Sequence, residues 1–431
     1  MTAVGENVTR AQPVLDHAKW LVLALVLAVF LVDGMDTQMM AVALPSLSQE
    51  WHLRASAFAL ALALGHAGAA GGGTLGGVLG DRIGTRNAII VCAVLFGVLS
   101  LSITVVHDLR VLELLRLACG LGLGGAIAPA LALLTEFFPA RRRSFVISLA
   151  FLCTPFGIGA AGLLAAYVMP LHGWRALFLI AGVTPLILAA LLPLLIPGSY
   201  RGSSSSGKSK DGVSRRVARW WQSLQQSGGR HPRVGRAAPV GLFIGFIFGY
   251  GAMSLVLTWL PSLMTGRGLS LHDAGLAISV WSASGIVGVP TAGWAAGRWG
   301  VRRVATIAAL VGVTGAAVLA LTSLWSAGVP AAGAAFYAPL AVTGATANAL
   351  IILLFARGAE LFPVEVRSTG LGLASTAGRT GSIVMAFVGG HVTEQISLSG
   401  FFSVAAGLLL IACVGINLER LRPSTPVGEI G

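Results

Sequence analysis

Apolar residues run through this chain in long unbroken stretches, without the two-residue alternation of a half-buried strand and without the one-sided stripe of a soluble helix. Windows of about 19 residues, the length that crosses a bilayer as a helix, place spans near 20–44, 56–78, 88–106, 111–135, 145–169 and 174–197. A second set lies near 239–263, 274–296, 304–324, 331–356, 368–391 and 399–418. The pattern predicts an all-α membrane protein of twelve transmembrane helices in two six-helix bundles, residues 20–197 and 239–419. Polar tails at 1–19 and 420–431 flank them, and a Ser-, Gly-, Lys- and Arg-rich stretch at 198–238, which has no means of burying a core, joins them as a linker. Within the linker, Val213 to Gln226 reads either as a short helix lying on headgroups through Trp220 and Trp221 or as a disordered basic loop.

Composition changes the picture by exclusion. Hydrophobic residues make up 55% of the 431 positions and glycines number 57, whereas only 10% are charged; a soluble domain carries about 25%. Most of the exterior must therefore face lipid. A soluble enzyme is ruled out, no catalytic spacing is present, and a transmembrane barrel would alternate apolar with polar residues. Cys92, Cys119, Cys153 and Cys413 all sit inside apolar runs without metal-ligand spacing, so neither metal nor cofactor is expected and the cysteines read as small buried hydrophobes. Residues 1–19 include Glu6 and Asp16 and lead into an apolar run with no small-residue cleavage site, so no cleavable leader is expected.

The net charge of +13 raises nucleic acid as a partner, but its placement answers otherwise. Of 29 lysines and arginines, only Arg54, Arg110, Arg175 and Arg267 fall in loops on one side of the twelve spans; Arg116 and Arg379 lie inside spans, and all the others fall on the opposite side. This is the positive-inside asymmetry. It places both termini in the cytoplasm of a cell whose inner membrane holds the protein, which is expected to be a monomer and not to bind nucleic acid.

The two halves repeat each other. Leu44-Pro45-Ser46-Leu47 recurs as Leu260-Pro261-Ser262-Leu263, 216 residues later, and the same offset aligns Gly77, Arg82, Gly84 and Arg86 with Gly293, Arg298, Gly300 and Arg302. At an offset of 224, Glu136, Phe138, Pro139, Arg143 and Ser144 align with Glu360, Phe362, Pro363, Arg367 and Ser368. Duplicated six-helix units mark secondary transporters, which bind substrate near the bilayer midplane. The stretch from Gly77 to Arg86 (GVLGDRIGTR) joins spans two and three, with glycines for a tight turn and Asp81 among arginines. This spacing resembles the signature loop of the major facilitator superfamily. Asn87 stands where that family usually has a second basic residue, and Gly297 replaces the acid in the second copy, so the inner clamp is expected to lean on the first half. Asp81, Arg82, Arg86 and Arg298, with the seven-residue pairs Glu136/Arg143 and Glu360/Arg367, are the candidate gating residues; the bland alternative for the glutamates is incidental charge near a basic loop.

Charges that break the repeat carry more information. Asp33 and Asp36 map onto Gly249 and Ala252, Arg379 maps onto Pro155, and Arg116 meets only apolar or small residues around its counterpart. A need common to both halves would be met twice, whereas a binding site needs its charge once. Each charge at a helix centre costs about 2.5–3.5 kcal/mol, so these imply partners, a wet cavity or both. Asp33 and Asp36 lie one turn apart on one helical face. Two close carboxylates disfavour double ionisation, which suits the pair to carrying a proton; a structural pair satisfied by backbone or by Arg116 is the competing reading. Arg379, between Gly378 and Thr380 with Gly381 beyond, is a planar fork able to grip a substrate carboxylate; its competing reading is a static tie to Asp33 or Asp36. Arg116 suits the charge network as well as it suits substrate.

The run Asp33-Gly34-Met35-Asp36-Thr37-Gln38 resembles the first-span signature of the aromatic acid:proton symporter family within that superfamily, as do Trp259-Leu260-Pro261, Gly173-Trp174-Arg175 and the pattern from Phe362 to Arg379. The similarity spans about residues 20 to 420. It implies import of a benzoate-like or hydroxybenzoate-like anion with protons, in the service of aromatic catabolism, with Asp33, Asp36, Arg116 and Arg379 as the matching functional positions. Gln38, Tyr250 and Asn348 are further candidates for lining the cavity. A proton-coupled efflux antiporter, whose fifth-span signature Thr154-Pro155-Phe156-Gly157-Ile158-Gly159 approximates only loosely, and a membrane sensor for small organic acids are the alternatives.

Overall fold

A computed structural model describes residues 3–195, 237–325, 333–362 and 367–418. The linker between 198 and 236, with its Val213–Gln226 stretch, and the 420–431 tail lie outside the described residues. Twelve helices among them are long and apolar enough to cross a membrane. They are α1 (Ala3–Glu50), α2 (Ala59–Ile83), α3 (Thr85–Ile103), α4 (Leu109–Phe137), α5 (Ala140–Tyr167) and α6 (Arg175–Leu195), then α7 (Ala237–Thr265), α8 (Leu271–Trp299), α9 (Val301–Trp325), α10 (Ala334–Leu361), α11 (Arg367–Gln395) and α12 (Leu398–Asn417). Every expected span has its helix. Helices are what an apolar chain must form in lipid, where each backbone N–H and C=O has to be satisfied within its own segment. Large apolar side chains accordingly face outward, as Leu75, Phe145, Leu194, Val287 and Leu321 do.

The turns follow local chemistry. Asp108 caps α4 by accepting from the Arg110 and Val111 amides at 2.8 and 3.0 Å, and Ser397 caps α12 through Gly400 N–H. Gly84 (φ 88°) ends α2 and Gly300 (φ 86°) ends α8 in the same left-handed turn. The aligned glycines of the two repeats thus do the same work, at a backbone angle that side chains disfavour.

Small residues set how closely helices approach, since lipid tails give apolar helices no reason to prefer each other. A Cβ on Gly157 of α5 would run into the Leu31 carbonyl of α1, and one on Gly34 would run into the Thr154 carbonyl. Gly76 of α2 and Gly125 of α4 meet in the same way. The opposing atoms are backbone and have no rotamer to escape into. Gly157→Val is therefore expected to cost at least the upper part of the usual ~1–3 kcal/mol for overpacking, read as a fall in the melting temperature of the solubilised protein. Gly293→Ala, where an added Cβ meets nothing within 4 Å, should leave it unchanged.

Packing divides the chain into two compact units. Among the described residues, one comprises 3–195, Leu257–Ile286 and Ala386–Gln395, and the other 237–256, the described part of Val287–Met385, and 396–418. The division passes through α7, α8 and α11. Within the first unit, α5 and α8 touch backbone to backbone: a Cβ on Gly162 would lie 2.6 Å from the Gly275 oxygen, and Ser279 Oγ donates to the Gly159 carbonyl at 3.1 Å. The Trp259 indole of α7 donates to the Ala386 carbonyl of α11 at 3.2 Å. The Ser56 amide, in the 3₁₀ turn Ala55–Phe58 that precedes α2, donates to Glu394 Oε1 of α11 at 3.2 Å. A core of Val22, Val26, Phe30, Ile89, Leu133 and Leu134, with their neighbours, fills the space between α1, α3 and α4.

Candidate functional site

The charges that break the repeat fall into two groups, one in each unit. In the first unit α1 presents Asp36 to α4, where Arg116 meets it with both guanidinium nitrogens: Nη1 donates to Oδ1 at 2.8 Å and Nη2 to Oδ2 at 3.3 Å. The two side chains are 5% and 6% exposed. Gly65 of α2 lies beside the guanidinium, a Cβ there standing 3.4 Å from Arg116 Nη2, in van der Waals contact. The fork geometry gives two charge-assisted bonds in one plane, an arrangement lysine cannot reproduce. Arg116 Nε is buried and has no hydrogen-bond partner. Arg116 thus meets the chain's own carboxylate, as the charge-network reading has it. Asp33, one turn earlier, is only half-buried, and its backbone carbonyl accepts from Thr37 Oγ1 at 2.7 Å. The two aspartates differ in burial, and Asp36 is tied to a cation on another helix.

Gln38 belongs to the same unit and lies on the other side of α1. It is 1% exposed, and its Nε2 donates to the Leu257 carbonyl of α7 at 2.6 Å. Its amide nitrogen is directed at backbone. Asn348 similarly donates to the Gly344 carbonyl one turn back in α10, at 2.8 Å.

In the second unit α11 carries Arg379, half-buried, beside Gly378. The Tyr250 ring of α7 lies against Gly378, its Cδ2 2.6 Å from where a Cβ would stand. Tyr250 in turn stacks on Phe246, with centroids 6.2 Å apart and planes at 16°. Arg379 is the next residue along α11 from the glycine on which the Tyr250 ring rests. A guanidinium, a phenol and a stacked ring pair thus occupy one neighbourhood, chemistry that suits an aromatic anion.

The gating candidates are more dispersed. Asp81 and Arg82 are exposed at the end of α2. Arg86 Nη2 instead reaches the Pro193 carbonyl in the last turn of α6, at 3.2 Å, where helical carbonyls lack partners. The pairing of Glu136 with Arg143 does not form here. Arg143 Nε turns back onto the Phe138 carbonyl at 3.0 Å, at the break between α4 and α5, while Glu136 Oε2 is buried without a partner. Glu360 pairs with Arg357 of its own helix at 3.0 Å; the side chain of Arg367 lies outside the described residues. Arg298 rests over the Trp294 ring, 5.9 Å from its centroid.

One cluster was not among the sequence candidates. Glu50, at the end of α1, accepts from both Nη atoms of Arg175 at 2.9 and 2.7 Å and from Trp174 Nε1 at 2.7 Å. Arg175 Nε also donates to the Thr104 carbonyl after α3, at 3.0 Å. Three helix ends are thereby fastened at one point. The signal lay in Gly173-Trp174-Arg175, but its partner sits 125 residues away and no spacing rule connects them.

Comparison with known proteins follows the same lines. Residues 26–357 and 242–430 match the family model described as the Major Facilitator Superfamily. The chain is 30% identical over 428 residues to a gallate transporter of Pseudomonas putida, covering 91% of each chain. It is 27% identical to the 4-hydroxybenzoate transporter PcaK of Acinetobacter baylyi, over 87% of this chain and 85% of that one. Among solved structures, a D-xylose-proton symporter superposes with a TM-score of 0.75 at 18% identity, covering 92% of this chain and 96% of the other, which speaks to the fold alone.

Proposed function

Because the chain belongs to the Major Facilitator Superfamily, and is therefore a multi-pass membrane transporter and not an enzyme, we propose that it imports an aromatic carboxylate of the benzoate or hydroxybenzoate type together with protons. It does so by alternating access, as a monomer in an inner membrane with both termini cytoplasmic. The substrate class is supported by relatives whose names specify gallate, 4-hydroxybenzoate and benzoate. The coupling is supported by one observation above all, the buried two-nitrogen bond between Asp36 and Arg116. A proton on Asp36 removes the charge that holds Arg116, and the freed guanidinium then has to find another anion or rearrange. Arg379, beside the stacked rings of Tyr250 and Phe246, supplies the carboxylate grip and the aromatic surface. Proton and substrate are linked by electrostatics: neutralising Asp36 frees the Arg116 charge for the substrate anion.

The test is uptake by proteoliposomes. With the outside acid relative to the lumen, labelled gallate, 4-hydroxybenzoate or benzoate should accumulate above its external concentration, and a protonophore should collapse the accumulation. Accumulation insensitive to the gradient would remove proton symport. Counterflow without net accumulation would leave a facilitator, and no counterflow of any of these acids would remove the transport of this substrate class.

A further inference from the structure

Pro261 lies inside α7. In an unbroken helix the carbonyl of residue 257 would accept from the amide of residue 261, but proline has no N–H to give. Leu257 O is thus an orphan acceptor in the middle of a buried helix, where an unmet carbonyl is expensive. Leu257 itself is 5% exposed, and the donor that reaches its carbonyl is Gln38 Nε2, at 2.6 Å. A short, buried bond therefore runs from α1, a helix of the first six, to α7, a helix of the second six, at a position created by a missing amide.

We propose that Gln38 is a positioning residue, not a substrate contact: by capping the carbonyl that Pro261 releases, it holds α7 to α1 in one of the transporter's two arrangements and lets go in the other. Gln38 and Leu257 pack within one compact unit here, whereas the sequence repeat assigns α1 and α7 to halves that rock against each other; the bond belongs to the arrangement described and is lost when those helices part. Losing it leaves Leu257 O orphaned again, which makes the bond a bias with a definite sign in favour of the arrangement described here. α1 then carries two ties of different kinds. Asp36 fastens it to α4 through charge, and two residues on, Gln38 fastens it to α7 through a neutral bond. A change at the aspartate has a direct mechanical route to α7. The inference rests on the transport reading only in that two arrangements exist; it does not depend on which acid is carried.

The experiment is a double-mutant cycle on the full-length chain, with Gln38→Met, Pro261→Ala and both together. Gln38→Met keeps the length and removes the donor; Pro261→Ala restores an amide to Leu257 O, so that the carbonyl no longer needs Gln38. Spin labels at Leu53 and Ser270, beyond the ends of α1 and α7, read the ratio of the two arrangements without any substrate. Each single substitution should move that ratio away from the present arrangement, by about 5- to 30-fold for the loss of one or two kcal/mol of bias, and the double should move it no further than either single. Melting should fall in Gln38→Met and recover in the double, because the carbonyl regains a partner. The proposal is overturned if Gln38→Met leaves the distance distribution unmoved, if the two shifts add, or if Pro261→Ala fails to recover the melting of Gln38→Met. Should Gln38→Met not yield folded protein, Gln38→Asn, one methylene shorter, enters the same cycle with the same outcomes. If wild-type protein moves none of the tested acids while the cycle behaves as described, the substrate reading fails and this one stands.

Discussion

Arg116→Met alone is expected to abolish uptake and to destabilise the protein by about 3–5 kcal/mol, because it strands the Asp36 carboxylate in a site where that side chain is 5% exposed. Asp36→Leu alone should do the same by stranding the guanidinium. The double variant Asp36→Leu/Arg116→Met is where structure and function separate. Replacing both members of a buried ion pair with apolar groups of similar volume is often neutral or stabilising, so the double should express, melt near the parent temperature and insert normally. It should still fail to accumulate substrate against a gradient, since the ion pair through which a proton on Asp36 releases Arg116 is gone. Melting curves of the four proteins together with gradient-driven uptake decide the matter. Recovery of proton-driven accumulation in the double variant would mean that the pair serves only the fold.

That pair also marks how far the sequence could be read. The twelve helices were legible because lipid imposes one requirement on every residue of a span, and a run of apolar residues meets it locally. The left-handed turns at Gly84 and Gly300 were legible for the same reason: a tight turn writes its need into one residue, and duplication writes it twice. Asp36 and Arg116 stood out because charge inside a span needs a reason, but which of Asp33 and Asp36 would meet Arg116 depends on the rotation of α1 against α4. The rotation of α1 is fixed from its α5 side, by contacts such as Gly34 against Thr154 and Gly157 against Leu31, which no spacing along the chain reveals. Glu136 and Arg143 show the opposite case. Their spacing suggested a pair, yet the end of α4 offers Arg143 the Phe138 carbonyl within five residues, and the nearer acceptor takes it. Gln38 was read as a polar residue facing a cavity, whereas its partner is a carbonyl exposed by a proline 223 positions later. Sequence shows Pro261 and Gln38 separately, and only the fold puts one opposite the other.

Arg379 allows a sharper test of substrate chemistry than simple removal. Arg379→Lys keeps the positive charge but replaces a planar fork with a single ammonium, so a carboxylate held by two parallel bonds loses one of them. A hydrogen bond to a charged group contributes about 1.5–3 kcal/mol, which predicts a KM for the acid raised by about 10- to 150-fold, with the melting temperature of the ligand-free protein near that of the parent. Arg379→Gln, which removes the charge as well, should show no saturable uptake. Gly378→Ala probes the same neighbourhood without touching the charge, because the added methyl would stand 2.6 Å from Tyr250 Cδ2 and push the ring off its present seat. If Arg379 and the Tyr250 ring hold opposite ends of one aromatic anion, Gly378→Ala should raise KM for ring-bearing acids while leaving competition by a short aliphatic carboxylate little changed. Arg379→Lys should weaken both alike. Uptake kinetics with an aromatic and an aliphatic acid in competition, run on all four proteins, separate the two contributions. An unchanged KM in a well-folded Arg379→Lys variant would take the carboxylate away from Arg379 and leave its charge to be explained by the protein's own acids.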